Sequence, residues 1–145
     1  MIEFKILDYV NGKFINEVND LLISWINVDN LDNIKNGIKN KTYPITIILL
    51  KDNVLIGFYQ ILEHDHDNTS YVPWIANVYI KEEYRGLGLG RTLIESIPYF
   101  MKKLNIKTIY LHTKHVNLYE KFGFKKLEEL KLDDNIKRFI YVMSI

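Results

Sequence analysis

The N-terminal half of the chain carries apolar residues in patterns that predict one strand, two helices and a hairpin. The segment from Glu3 to Tyr9 is strand-like and ends at the turn signal Asn11-Gly12. Apolar residues then recur at helical spacing in two groups, Ile15, Val18, Leu22 and Trp25, followed by Leu31, Ile34 and Ile38 before a stop near Asn40. The runs Ile45–Leu50 and Val54–Leu62, joined through Asp52-Asn53, predict a β-hairpin.

In the C-terminal half, strand-like and helix-like segments alternate. Pro73–Ile80 is too short for a typical helix and is rich in β-branched and aromatic residues, which predicts a strand. A long amphipathic helix with a kink at Pro98 is predicted from Leu89, Leu93, Ile97, Met101 and Leu104. The remaining predicted elements are a strand at Thr108–Thr113, a short helix through Leu118–Lys121 that stops at Gly123, and two strands around Asp133–Asn135, the last being Ile136–Ile145.

The predicted elements follow the order β-α-α-β-β-β-α-β-α-β-β, without a repeat, a linker or a low-complexity tract. This order predicts an α/β (α+β) fold with a mixed, mostly antiparallel central sheet and helices on both faces. A chain of 145 residues has the size of one domain, so residues 1–145 are predicted to fold as a single unit.

The run Tyr84–Arg91, between a predicted strand and the long helix, predicts a diphosphate site. Gly86, Gly88 and Gly90 occupy alternate positions, so the backbone N–H groups can approach an anion without side-chain cover. A helix that starts here directs its unpaired N–H groups and its positive dipole end at the same place. Arg85 and Arg91 bracket the loop and add charges suited to phosphate oxygens.

The spacing within this run separates three known phosphate loops. A Walker loop requires Gly-Lys-Ser/Thr, whereas Gly90 is followed by Arg91-Thr92-Leu93. The dinucleotide fingerprint requires a third glycine three residues after the second, where this chain has Arg91 or Leu93. The pattern Arg-x-x-Gly-x-Gly, read as Arg85, Gly88 and Gly90, resembles the acetyl-CoA pyrophosphate loop of the GNAT N-acetyltransferase superfamily.

A second motif supports this resemblance. The stretch Leu118–Phe124, Leu-Tyr-Glu-Lys-Phe-Gly-Phe, is similar to the superfamily's second signature, in which a tyrosine faces the thioester. The resemblance implies an acetyl-CoA-dependent enzyme that transfers an acetyl group directly to a primary amine of a small cationic molecule or a peptide, without a metal. It also implies that Tyr119 protonates the departing thiolate, and that the thioester lies near the gap between Asn77 and the strand Thr108–Thr113.

The resemblance further implies which residues bind acetyl-CoA. The backbone of the fourth strand is expected to pair with the pantetheine arm at Val78, Tyr79 and Ile80. The diphosphate is expected on the run Arg85, Gly86, Leu87, Gly88, Leu89, Gly90 and Arg91.

Two positions depart from the superfamily's pattern. Many members have a glutamate on the fourth strand that removes the amine proton, and this chain has Trp74 there. Many also have an asparagine about seven residues before the tyrosine that contacts the pantetheine; here that position is His112, and Asn117 is the candidate to replace it. These departures leave open a second interpretation, a catalytically weak acetyl-CoA-binding module with a regulatory or sensing role.

The polar segment Glu63–Ser70 is the main indication of the acceptor. Its carboxylates, Glu63, Asp65 and Asp67, predict an acidic entrance that favours a cationic amine, with Glu63 at the strand end as the predicted base. The alternation of His64, Asp65, His66 and Asp67 could also ligate a metal, but adjacent loop residues without a second cluster favour a solvated loop.

Composition adds few constraints. The formal charge of +1, with both signs interspersed, predicts no nucleic-acid partner. The absence of cysteine excludes disulfides and a cysteine nucleophile, and no apolar run is long enough to cross a bilayer. We therefore expect a cytoplasmic protein without a membrane partner, and a homodimer is possible.

Overall fold

The computed structural model describes residues 1–65, 70–131 and 137–145. Its strands are β1 (Ile2–Ile6), β2 (Ile45–Lys51), β3 (Val54–Leu62), β4 (Trp74–Ile80), β5 (Thr108–Thr113), β6 (Lys125–Lys131) and β7 (Lys137–Ser144). Its α-helices are α1 (Ile15–Ile26), α2 (Leu31–Asn40), α3 (Leu89–Glu95) and α4 (Ile97–Lys103). Short 3-10 helices cover Gly12–Phe14, Glu82–Tyr84 and Tyr119–Phe122.

The seven strands form one sheet in the order β1-β2-β3-β4-β5-β7-β6. All neighbouring strands are antiparallel except β4 and β5, which are parallel. The predicted mixed and mostly antiparallel sheet is therefore confirmed. The predicted hairpin is also present, because Asp52 and Asn53 both adopt positive φ and turn β2 into β3.

Both faces of the sheet centre are covered by helices, as predicted. Alternate side chains of a strand point to opposite faces, and in β2 both sets are buried. Ile47 and Leu49 pack in the core shared with α3 and α4, whereas Ile48 and Leu50 pack in the core shared with α1 and α2. We call these the α3 face and the α1 face of the sheet.

The helices differ from the sequence expectation in two places. The long helix is divided into α3 and α4 around Ser96, because Pro98 at the start of α4 cannot donate the backbone hydrogen bond that would continue α3. The predicted short helix at Leu118–Lys121 is a 3-10 helix one residue further on, and it ends at Gly123 with φ of 94° as expected.

Strand β4 carries an irregularity that the apolar pattern did not predict. Opposite β3, Phe58 pairs with Tyr79 and Gln60 pairs with Ala76, so β4 has one extra residue between these pairs. Asn77 lies in this bulge with φ of 54°, a conformation that asparagine tolerates better than most residues. The bulge redirects β4 at the point where it begins to separate from β5.

The separation of β4 from β5 opens the sheet. Within the described strands, the two share a single ladder pair, Trp74 with Tyr110, at the start of β4. The C-terminal part of β4 is therefore paired with β3 and not with β5. No helix among the described residues is long and apolar enough to cross a membrane.

Candidate active site

A cavity of about 380 Å³ lies where β4 and β5 separate. Its lining residues are Trp25, Asp65, Ile75, Ala76, Asn77, Val78, Ile94, Leu111, His112, Tyr119 and Arg138. Leu111 and Ile94 belong to the α3 face, and His112, the next residue on β5, points to the α1 face by the alternation of a strand. The cavity therefore connects the two faces of the sheet.

Tyr119 reaches this cavity from the 3-10 helix after β5. Its ring packs against Phe124 and Tyr141 in the core of the α3 face, with centroids 5.9 and 5.8 Å away. Burial raises the pKa of the Tyr119 hydroxyl above its ordinary value, and a hydrogen bond with Thr113 acts in the opposite direction. The hydroxyl consequently stays protonated at neutral pH, as a proton donor must.

The bulge on β4 is held by a chain of buried amide hydrogen bonds. The Nδ2 of Asn77 donates to Oε1 of Gln60 at 2.8 Å, and the Nε2 of Gln60 donates to Oγ1 of Thr46 at 3.1 Å. Gln60 and Thr46 are both buried, so these partners satisfy groups that water cannot reach. The chain of bonds fixes Asn77 and Val78 at the wall of the cavity.

The glycine run lies between β4 and α3, with the left-handed conformation at two of its residues. Gly86 has φ of 81° and Gly88 has φ of 78°, which glycine adopts without strain. Among the described residues, no heavy atom lies within 4 Å of where a Cβ would stand on Gly86, Gly88 or Gly90. These glycines are therefore not required for packing within the protein, and their open side is free for a ligand.

The two arginines that bracket the loop are exposed and oriented by local contacts. The Nε of Arg85 donates to the carbonyl of Ile80 at 2.8 Å, and its guanidinium lies 5.4 Å from the Tyr79 ring centroid. The Nε of Arg91 donates to Glu95 one turn along α3 at 3.0 Å. Each hydrogen bond uses Nε, so the terminal nitrogens can face an anion.

Helix α1 supplies an aromatic wall on the other face. The Trp25 ring lies 5.0 Å from the Tyr79 ring, and 44% of Trp25 is exposed. The sequence pattern gave Trp25 only as an apolar position of this helix, and the structure makes it a wall of the cavity. A salt bridge between Lys81 after β4 and Glu17 on α1 fixes the helix against the strand.

The acidic segment contributes one of its predicted carboxylates to the cavity. Asp65 lines it, and its Oδ2 lies 2.7 Å from Nε2 of His112, with only about a quarter of the Asp65 side chain exposed. Glu63 is largely exposed and, among the described residues, is not one of those that line the cavity; it lies 3.8 Å from His64. Asp67 and His66 are outside the described residues.

The two departures from the superfamily's pattern take defined places. Trp74 is completely buried and donates its Nε1–H to the carbonyl of Tyr71, so no carboxylate stands at that strand position. His112 lines the cavity on the side of the α1 face. Val78, from the run Val78–Ile80, lines the same cavity. Asn117 is exposed, has φ of 64°, and is not among the described lining residues.

Sequence reasoning missed three contributions to this site. Trp25 was read only as an apolar position, the pairing of Asp65 with His112 joins residues 47 positions apart, and Arg138 lies on the last strand.

A larger groove of about 1220 Å³ lies between β1 and α3–α4. Neither Tyr119 nor the β4 bulge lines it, so the smaller cavity is the candidate active site.

Comparisons with known proteins show which family the chain belongs to. Residues 16–124 match the Acetyltransferase (GNAT) family. The chain is 31% identical over 133 residues to "Uncharacterized N-acetyltransferase ycf52" of Pyropia yezoensis, covering 86% of this chain and 74% of that protein. It is 33% identical over 94 residues to the spermine/spermidine N(1)-acetyltransferase of Bacillus subtilis (strain 168), covering 60% of this chain and 62% of that enzyme.

Solved structures repeat the fold over nearly the whole chain. A chain of the NatC complex bound to Gag peptide and CoA superposes with a TM-score of 0.67 and 20% identity, and the match covers 99% of this chain and 98% of that one. The chain belongs to the GNAT acetyltransferase family. It is an acyltransferase that depends on acetyl-CoA as the acyl donor.

Proposed function

We propose that this protein transfers the acetyl group of acetyl-CoA to a primary amine of a cationic acceptor. The observation that carries the proposal is the cavity between β4 and β5, which is lined both by Tyr119, whose hydroxyl is protonated, and by the Asn77 bulge. A thioester in this cavity lies between a proton donor on one face and an entrance for the amine on the other.

In this proposal, acetyl-CoA is bound by the residues that the sequence indicated. The diphosphate binds the run Arg85–Arg91, where no described heavy atom lies within 4 Å of an added Cβ on Gly88 or Gly90. The pantetheine arm adds along Val78–Ile80, the part of β4 that has separated from β5. Asn117 stays a prediction as a further contact.

The chemistry then follows from the positions of the reacting groups. The amine attacks the thioester carbon, the developing oxyanion is stabilised by a backbone N–H at the β4 bulge, and Tyr119 gives its proton to the departing sulfur. Positioning of the two reactants contributes the larger part of the rate, up to about 7–11 kcal/mol when it is complete.

The acceptor side favours a positively charged amine. Asp65 supplies a carboxylate, and Trp25 supplies an exposed aromatic face that attracts a cation. The B. subtilis relative is named for spermine and spermidine, which are polyamines, and this supports a small cationic acceptor. The NatC neighbour holds a peptide, so a peptide amine is the other member of the acceptor panel.

One observation favours a second candidate function. Buried Trp74 occupies the strand position where many superfamily members have the proton-removing glutamate. The second candidate is therefore an acetyl-CoA-binding module with weak turnover.

Thiol release from acetyl-CoA, measured with and without spermidine, an aminoglycoside and a short peptide with a free N-terminus, separates the two functions. We expect release that depends on an amine and saturates with it, with an acetylated amine found by mass spectrometry. Binding of acetyl-CoA, seen as a rise in Tm, with only amine-independent hydrolysis would establish the module instead. No rise in Tm at millimolar acetyl-CoA would contradict both.

A further inference from the structure

A histidine–carboxylate pair lies on the acceptor side of the cavity and has no part in the donor site. Oδ2 of Asp65, in the segment after β3, lies 2.7 Å from Nε2 of His112 on β5. Both side chains are largely buried, with 25% and 20% of their area exposed, and both line the cavity. The pair joins a loop to a central strand at the point where β4 and β5 separate.

The pair lies on the face of the sheet from which an amine would approach. Leu111 packs in the core of the α3 face, so His112 points to the α1 face, where Trp25 forms the opposite wall. Tyr119 packs on the α3 face with Tyr141. The proton donor for sulfur and the Asp65–His112 pair are therefore on opposite sides of the opening, so that the amine and the departing sulfur would meet different groups.

The geometry also indicates which member of the pair meets the amine. Nδ1 of His112 is buried, and Nε2 faces Asp65. When Nε2 of His112 carries a proton, it donates to Oδ2 and holds the carboxylate in place, and Oδ1 is then the oxygen that can accept a proton. His112 is then a positioning residue, and Asp65 is the catalytic one.

We propose that Asp65, held by His112, is the carboxylate that takes the proton of the acceptor amine; this rests on the proposed function. Asp65 provides, from the segment after β3, the proton-accepting carboxylate that is missing at the strand position of Trp74. The ammonium gives one proton to Asp65, which passes it to solvent, and the free amine forms the C–N bond as the C–S bond breaks. The sulfur takes the proton of Tyr119, and the second proton lost by nitrogen restores Tyr119.

Asp65→Asn tests the proposal, with Glu63→Gln as the matched variant, because it removes the same charge from the same segment outside the cavity. We expect Asp65→Asn to lower kcat about 10²-fold or more and to remove the acidic limb of the pH–rate profile. Glu63→Gln is expected to act on the KM for a cationic amine, with a smaller change in kcat. Asp65→Glu, which keeps a carboxylate, should recover part of the lost kcat.

The role of His112 is tested by a pair of substitutions. His112→Phe keeps a ring against Trp74 but removes the donor, and His112→Gln keeps an N–H that can reach Asp65. We expect His112→Phe to lower kcat about 10-fold and His112→Gln to lower it less, with the rise in Tm on adding acetyl-CoA unchanged in both. The other charged or titratable groups lining the cavity, among the described residues, are Arg138 and Tyr119. An acidic limb that changes in Asp65→Asn and in His112→Phe but not in Glu63→Gln would therefore point to the pair.

Each contrary result has a distinct meaning. If the unmodified protein releases thiol with an amine and Asp65→Asn does the same with an unchanged acidic limb, this proposal is overturned and the proposed function stands. If Glu63→Gln loses kcat and Asp65→Asn does not, the base is Glu63 and the proposal is again overturned. If the unmodified protein shows no amine-dependent release, both proposals fail before any variant is compared.

Discussion

At the scale of the single residue, Tyr119 is the most direct test of the chemistry. Replacing it with Phe removes the hydroxyl that we propose as the proton donor and keeps the ring that packs against Phe124. We expect kcat to fall about 10²-fold with little change in the Kd for acetyl-CoA. Steady-state kinetics and a thermal-shift titration measure the two quantities separately.

A matched control comes from Tyr71, whose hydroxyl donates to Glu128 at 3.0 Å outside the described lining of the cavity. Tyr71→Phe should leave kcat within about twofold. Burial raises the pKa of the Tyr119 hydroxyl, so this hydroxyl keeps its proton to a higher pH than an ordinary tyrosine does. Equal activity of Tyr119→Phe and the unmodified protein would reduce Tyr119 to a packing residue.

What the sequence predicts about single residues depends on whether a motif surrounds them. Tyr119 and Gly88 stand in recognisable local patterns, and the structure places Tyr119 at the cavity and Gly88 immediately before α3. The Asp65–His112 contact has no such pattern, because it depends on how far β4 separates from β5. The exposure of Trp25 likewise depends on what α1 faces, since helical spacing alone does not distinguish a core from a cavity wall.

At the scale of the element, the glycine loop is tested most cleanly at Gly90. This residue is in the first turn of α3 without a positive φ, and no described heavy atom lies within 4 Å of an added Cβ. Gly90→Val should therefore fold normally and yet abolish the rise in Tm caused by acetyl-CoA, because the side chain blocks the approach of the diphosphate. Gly88→Val should do the same with an added cost from its φ of 78°.

Gly12→Val is the control for this prediction. An added Cβ on Gly12 would meet Ile15 at an ordinary 3.6 Å. Gly12 lies in the 3-10 helix Gly12–Phe14 and not in the run Arg85–Arg91. It should keep the full rise in Tm. An undiminished response in Gly90→Val would mean that the diphosphate binds elsewhere.

Element types were predictable wherever the pattern is local. The β2–β3 hairpin follows from its turn residues, Asp52 and Asn53. The break near Pro98 follows from the backbone hydrogen-bond donor that proline lacks. The bulge at Asn77 could not be predicted, because it is fixed by a hydrogen bond to Gln60 on β3, which is itself bonded to Thr46 on β2. The hydrogen bond between Asn77 and Gln60 forms only when β4 pairs with β3, so the sequence of β4 alone does not reveal it.

At the scale of the whole molecule, the order of elements and the two motifs were sufficient to predict the class, and the GNAT family match confirms it. The formal charge of +1 gives no comparable indication of the acceptor. The identity of the acceptor depends on the shape and charge of a cavity assembled from α1, β4, β5 and the segment after β3. Such a surface is determined by tertiary packing and not by any one segment.

Stability at alkaline pH provides a test of packing in the core of the α3 face. Burial raises the pKa of the Tyr59 hydroxyl, opposed by its hydrogen bond with Ser96, and burial likewise raises that of Tyr119. The unfolded chain releases these phenolic protons near an ordinary pKa of about 10, whereas the folded chain retains them. The free energy of unfolding should therefore be steady near neutrality and fall as the pH rises above about 10.

Tyr59→Phe isolates the contribution of one phenol, because the two proteins differ at this position alone. The variant loses the 2.9 Å hydrogen bond between Tyr59 and Ser96 and should be about 1 kcal/mol less stable at pH 7. Its stability should then decline less steeply with pH, because one phenol that binds its proton more tightly in the folded state has been removed. Urea unfolding at intervals from pH 7 to pH 11 gives both curves. Curves that remain parallel throughout would show that Tyr59 ionises as easily in the folded protein as in the unfolded chain.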